Sequence, residues 1–231
     1  MTTPQNRDGR RLAGLAALAG AGFMAAALAL AISVTGSDTN MMLDPARALT
    51  LPPEKIAAFQ AFLLADSLGY YLPFLIVGGY LWRRLRDAGA VIDMAAMALV
   101  VYVVLGLAGT SFQYATLPHL AAAHAAGDAA TRAAAETTWL VTAWGTQKGL
   151  WFMEGPTFAL WGLATGLAMR AQGLRLTGLL LMAAGSAYAA SFVLFILGLD
   201  APGELVVLLA VVLALVWSVA TGAVLLREKS A

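Results

Sequence analysis

The sequence predicts an all-α, polytopic membrane protein: a bundle of six transmembrane helices with a short extracytoplasmic helical hairpin. Three observations carry this prediction. Hydrophobic residues make up 61% of the 231 and charged residues 12%, whereas soluble domains carry about 45–50% and about 25%. The apolar residues are gathered into runs long enough to span a bilayer, which takes roughly 20 residues. Lys and Arg are sorted between alternate connections. Six spans with short loops use most of the chain, which therefore forms one integral membrane domain over residues 1–231.

The spans are expected at about residues 12–34, 56–82, 91–112, 139–169, 176–197 and 205–226. The first is rich in Ala, Leu and Gly. Its Ala17, Ala21 and Ala25 recur every fourth residue, a small-residue stripe that lets another helix approach closely. It follows Arg7, Arg10 and Arg11 and contains Ala29 and Ala31, as a signal peptide would. Its apolar run is longer than the usual 7–15 residues of a signal peptide, so it is read as a retained span.

Basic residues orient the bundle. With a cytoplasmic N-terminus the inner segments hold Arg7, Arg10, Arg11, Arg83, Arg84, Arg86, Arg170, Arg175, Arg227 and Lys229, ten of the fourteen. The outer segments hold Arg47, Lys55 and Arg132, and are otherwise acidic. Both termini are expected in the cytoplasm of a bacterium, with the protein in its inner membrane. Two outer loops are long. Residues 35–55 are turn-rich, with a helix start at Leu51-Pro52-Pro53-Glu54. Residues 113–138 contain Pro118, an Ala-rich run and Gly127-Asp128. They read as two short helices extending spans three and four as a hairpin, with Asp128 as an N-cap.

Three ionisable residues fall well inside spans: Asp66, Lys148 and Glu154. Each costs roughly 2.5–3.5 kcal/mol on insertion scales, so each needs a partner. At 1.5 Å per residue Asp66 lies about 15 Å and Lys148 about 14 Å from the outer ends of their helices. An interhelical Asp66–Lys148 ion pair is expected, either as a staple that fixes register or as a switch. Glu154 lies deeper, about 22 Å in, level with Tyr70, Tyr71 and Tyr102. A protonated Glu154 bonded to a Tyr hydroxyl is the least costly arrangement there. Pro156 removes a backbone donor, frees the carbonyl of Phe152 and is expected to kink the fourth span.

Around these residues span four carries an aromatic and polar stripe of Trp144, Gln147, Lys148, Trp151 and Glu154. Tyr188 on span five is level with Asp66. A ligand or proton pocket of Asp66, Tyr70, Gln147, Lys148, Trp151, Glu154 and Tyr188 is one reading. An aromatic belt plus ordinary bundle core is the other. Thr110, Ser111, Gln113 and Tyr114 read as interfacial. Gly162 and Gly166 read as a close helix contact.

Composition excludes several chemistries. The net charge of +1 gives no field for nucleic acid, and no Cys is present, so thiolate metal sites, Cys nucleophiles and disulfides are out. Two His are too few for a His-rich di-iron site, and His119 and His124 do not share a helix face. No catalytic residue, metal or cofactor is therefore expected, and an enzyme is the class with least support. The expected partners are the lipid bilayer and either a small molecule or another membrane protein.

Arg11-Leu12-Ala13-Gly14 at the first span and Asp66-Ser67-Leu68-Gly69-Tyr70 in the second, which ends Leu81-Trp82-Arg83-Arg84-Leu85, resemble a group of uncharacterised bacterial six-span membrane proteins. The likeness covers mainly the first half of the chain and implies a topology without a chemistry. Three functions remain open: a protein that binds a small molecule or handles protons in an intramembrane pocket, a structural or assembly subunit of a membrane complex, and a substrate-binding subunit of an importer.

Overall fold

The computed structural model describes the backbone of residues 4–36, 38 and 40–228, with side chains from Asp8 onward. The Arg7 side chain and Lys229, both assigned to the inner segments by sequence, lie outside the described residues. Helix α1 runs Pro4–Thr35, and a short 3-10 turn, Met41–Leu43, leads to α2, Pro45–Ala48. Helix α3, Pro53–Asp66, passes through a π turn, Ser67–Tyr71, into α4, Leu72–Leu85. Helix α5 is Ala90–Ala126 and α6 is Ala129–Trp144; a second π turn, Gly145–Leu150, precedes α7, Glu154–Ala171. Helices α8, Arg175–Ile196, and α9, Asp200–Arg227, complete the chain, and no strand occurs among the described residues.

Five helical segments are long and apolar enough to cross a membrane: Asp8–Thr35, Pro53–Ala88, Ala90–Ala126, Arg175–Ile196 and Asp200–Arg227. They correspond to five of the expected spans. Side chains such as Val91, Met94, Met97 and Val104 of α5 face outward and are more than half exposed, a surface suited to lipid and adverse in water. The expected fourth span is different. In place of one helix over 139–169, the chain has α6, the π turn, an irregular turn at residues 151–153, and then α7. Helix α7 includes both Glu154 and Arg170 within its 18 residues, which lowers its apolar character.

Prolines shape three of these helices, each by removing the N–H that would bond the carbonyl four residues earlier. Helix α5 runs unbroken through Pro118 and ends at Ala126, before Gly127-Asp128. The carbonyl orphaned by Pro118 belongs to Tyr114, and the Gln60 side chain of α3 donates to it at 3.2 Å. Pro156 sits in the first turn of α7 and does not kink a continuous helix. The Phe152 carbonyl accepts instead from Gly155 N–H at 3.2 Å. Pro73 follows the first π turn, which ends as Leu72 N–H bonds the Ser67 carbonyl.

The ends of the bundle are tied by polar contacts. At one end the Arg84 guanidinium donates two bonds to the Glu228 carboxylate at 2.9 and 3.0 Å, and Arg10 lies 3.8 Å from the same carboxylate. At the other end Trp139 Nε1 donates to the Met42 carbonyl at 2.9 Å. Trp139 is wholly buried there, not placed in an exposed aromatic belt. Asp128 caps α6 by accepting from Thr131 N–H at 2.9 Å, a bond that holds its carboxyl below the usual range.

The centre is aromatic. Phe74 packs on Trp217, Trp161, Phe158 and Tyr102 with ring centroids 5.5, 5.7, 5.8 and 6.3 Å away. Inside lipid, helix association rests on such packing more than on release of water, and each aromatic pair adds about 0.5–1.5 kcal/mol. Small residues bring the helices close enough. On α1 the buried line is Ala13, Ala17, Ala21, Met24 and Ala27, while Ala25 of the expected stripe is exposed. A strict four-residue step drifts around a 3.6-residue helix, so the buried face moves off it.

Helices α7 and α8 meet through Gly162 and Gly166 as expected. A Cβ on Gly162 would lie 3.1 Å from the Gly185 Cα, and one on Gly166 would lie 2.7 Å from the Gly178 carbonyl oxygen. Gly166→Leu is therefore expected to destabilise the protein by about 1–3 kcal/mol, as overpacking does. Gly22→Leu on α1, where nothing lies within 4 Å, should leave stability nearly unchanged. Thermal unfolding of the two variants in detergent compares them directly.

Candidate functional site

A cavity of about 280 Å³ lies inside the bundle. Helices α1, α3, α5, α7, α8 and α9, the first π turn and the irregular turn that follows the second contribute to its wall. The π turns explain how two long segments each deliver several side chains to one place. A π turn adds a residue to the helical repeat, and Tyr70 and Tyr71, both buried, stand in the first. Asp66 precedes them on the same wall. On the opposite wall the second π turn closes as Trp151 N–H bonds the Thr146 carbonyl at 2.9 Å. Trp151 and Glu154 follow it into the cavity.

The Tyr71 hydroxyl donates to Glu154 Oε1 at 3.0 Å, the partner type expected for Glu154. Asp66 faces the same hydroxyl. Two carboxyls thus flank one phenol. Glu154 and Tyr71 are 6% and 4% exposed, while Asp66 is half-buried. Tyr102 and Tyr188 close the deep end, ring centroids 6.4 Å apart. Tyr70 Oη is buried without a hydrogen-bond partner, a state that costs desolvation free energy with nothing to offset it.

Of the seven residues expected in the pocket, Asp66, Tyr70, Trp151, Glu154 and Tyr188 line the cavity. Gln147 and Lys148 do not. The ion pairs among the described residues are Arg10–Glu228, Arg47–Asp38, Arg84–Glu228 and His124–Glu136. The expected Asp66–Lys148 pair is not formed. Lys148 sits in the π turn, whose wider winding carries its ammonium onto α8, 5.1 Å above the Phe195 ring. Gln147 Nε2 turns to Gln113 Oε1 at 3.4 Å on α5. Depth along each helix is legible in the sequence, but rotation about the axis is not, because the regular 100° step fails at the π turn.

Three features escape the sequence reading. Tyr102, expected only as level with Glu154, also lines the cavity, and Ser191 and Phe192 line it from α8. Gln113 and Thr110 are buried at 0% and 3% exposure, not interfacial. Thr110 Oγ1 meets Ser67 Oγ at 3.0 Å beside the first π turn. The available signal is the spacing of Tyr102, Gly106, Gly109, Thr110 and Gln113, which marks one inward face of α5. A Cβ on Gly106 would lie 1.9 Å from the Tyr71 ring, and one on Gly109 would lie 2.3 Å from Trp151 Nε1. These two glycines are the seats of the two cavity aromatics.

No group of three or more His, Asp or Glu positioned to hold a metal occurs among the described residues. Comparison with protein-family models, curated proteins and solved structures finds no match for this chain. The likeness of its first half to uncharacterised six-span proteins is therefore not a family assignment.

Gly106→Ala should evict the Tyr71 ring and break its bond to Glu154. The expected loss is about 1–3 kcal/mol of stability, from overpacking and from leaving a buried acceptor unpaired. Tyr71→Phe, which removes only the hydroxyl, should lower stability by about 0.5–1.5 kcal/mol. Thermal unfolding of the two single variants and the double variant measures the coupling between seat and hydrogen bond.

Proposed function

We propose that this chain is a six-span protein of a bacterial inner membrane that binds a small molecule in the cavity between Asp66 and Glu154. The observation that carries the reading is a chamber inside an apolar bundle, lined by two carboxyls that have no basic partner. Unpaired carboxyls are costly in a largely apolar chamber. They are accounted for by a ligand or a proton that uses them, since no internal cation neutralises them.

The sixth crossing is α7, with α6 and the second π turn continuing it beyond the bilayer beside the far end of α5. That far end is the extracytoplasmic hairpin, turned at Gly127-Asp128. Helix α5 has 37 residues, about 55 Å at 1.5 Å per residue, well beyond a hydrocarbon core of about 30 Å. The 3.8 Å approach of Arg10 to Glu228 supports an even number of crossings, since it brings the two ends of the chain to one face. The basic residues gathered at that face support a cytoplasmic location for it.

The absence of native Cys makes the topology directly testable. Ala130→Cys should react with an impermeant maleimide in intact cells, and Ala171→Cys only after permeabilisation; labelling of both from one side overturns the fourth crossing. Ligand binding is tested by thermal shift of the purified protein against cationic, neutral and anionic small molecules. At least one class should raise Tm in the wild type and fail with Ala31→Phe, which fills the cavity from α1. If no class distinguishes wild type from Ala31→Phe, the binding reading fails.

A further inference from the structure

The cavity has a chemistry as well as a volume. We infer that it accepts an organic cation: a protonated amine carried on a small apolar or aromatic body. This inference rests on the cavity being a binding site.

Charge comes first. The lining contains Asp66 and Glu154 and no Lys, Arg or His. Lys148 is held over the ring of Phe195, a lining residue, and pairs with neither carboxyl. In a chamber without a base, each carboxyl is neutralised by its own proton or by a cation that enters. An anion would meet two carboxyls and no counter-charge, which excludes carboxylates and phosphates as ligands.

The walls select among cations. Tyr70, Tyr71, Tyr102, Trp151 and Tyr188 surround the carboxyls, and Phe152, Phe192 and Phe195 continue the aromatic surface. Aromatic faces attract ammonium groups within about 6 Å of the ring centroid, most strongly when water is excluded. Lys148 over Phe195 is that same interaction at the edge of the chamber. A hydrated inorganic cation gains little from such walls. It needs six or more oxygen ligands if calcium, or an octahedral shell if magnesium, and two carboxyls with scattered phenols do not make one.

The third observation is independent of the charges. Tyr70 is 5% exposed, lines the chamber, and leaves its hydroxyl oxygen without a hydrogen-bond partner. A ligand N–H can donate to that oxygen while its charge faces Asp66. This favours a primary, secondary or tertiary ammonium over a quaternary one, which has no N–H to give. Size sets the last limit. At about 280 Å³ the chamber falls just under the roughly 300–1,000 Å³ of drug-sized pockets, so the ligand has one or two rings and is not a lipid.

The test uses the full-length protein in detergent and a matched probe set: phenethylammonium, its N,N,N-trimethyl analogue, 2-phenylethanol and 3-phenylpropionate. Binding is measured by calorimetry and by the shift in Tm. Phenethylammonium should bind saturably and raise Tm, the trimethyl analogue more weakly, and the alcohol and carboxylate not at all. Asp66→Asn should weaken phenethylammonium at least tenfold. Tyr70→Phe should weaken it several-fold and erase its advantage over the trimethyl analogue. Both variants leave the Tyr71–Glu154 bond in place, so both should fold. Equal binding of 2-phenylethanol or 3-phenylpropionate, or an Asp66→Asn affinity within twofold of wild type, overturns the cation inference. If such a neutral or anionic probe is also lost in Ala31→Phe, the cavity remains a binding site and only the class of ligand is wrong. If neither these probes nor any other class is sensitive to Ala31→Phe, both readings fall.

Discussion

The hydrogen bond from Tyr71 to Glu154 joins the two interrupted segments of this bundle across their shared cavity. One partner follows the break between α3 and α4, and the other opens α7 after the break that follows α6. Neither position is arbitrary. The Tyr71 ring lies against Gly106, where a single added methyl would collide with it. Glu154 is held at the start of α7, where the backbone re-forms a helix just ahead of Pro156. A bond fixed at both ends in this way sets the rotation of α4 and α7 about their axes.

The cost of an irregular backbone in an apolar bundle is that every freed N–H and carbonyl must find another partner. This chain meets that demand locally. The π turns satisfy their own amides by reaching back five residues, as Leu72 does to Ser67 and Trp151 does to Thr146. Side chains cover what remains. Gln60 donates to the carbonyl orphaned by Pro118, and Ser67 and Thr110 bond each other and nearby carbonyls. The same irregularities shape the chamber: Tyr70 and Tyr71 stand in the first π turn, and Trp151 and Glu154 follow the second. Polar satisfaction fails at Tyr70 Oη inside the chamber and, beside the second π turn, at Trp151 Nε1 and Gln113 Nε2.

Five of the spans are legible because membrane insertion is written in composition: long apolar runs, punctuated by charged or Gly- and Pro-rich connections. That Glu154 lies level with Tyr71 is legible because rise per residue is constant, and the bond between them agrees with it. At Pro118 the reading cannot name the donor for the orphaned carbonyl, since Gln60 lies far from it in sequence. The Asp66–Lys148 pair misleads it for a related reason. Equal depth is necessary for an ion pair, but facing directions decide it, and the second π turn rotates Lys148 towards Phe195. Two local signals bear on these breaks. Gly145 and Gly149 bracket the second π turn, and Gly69 stands four residues before Pro73 near the first.

By itself, then, the sequence determined an all-helical chain, the number of its long apolar helices to within one, and which ionisable residues fall within apolar segments. These are properties of segments, fixed by transfer free energies that add residue by residue along the chain. The tertiary structure alone decided which of those residues face one another. It drew Asp66, Glu154 and four tyrosines around one chamber, sent Lys148 and Gln147 elsewhere, and left the chamber without a base. That choice rests on helix rotation, and rotation is set by glycine seats, π turns and borrowed hydrogen bonds between segments distant in sequence.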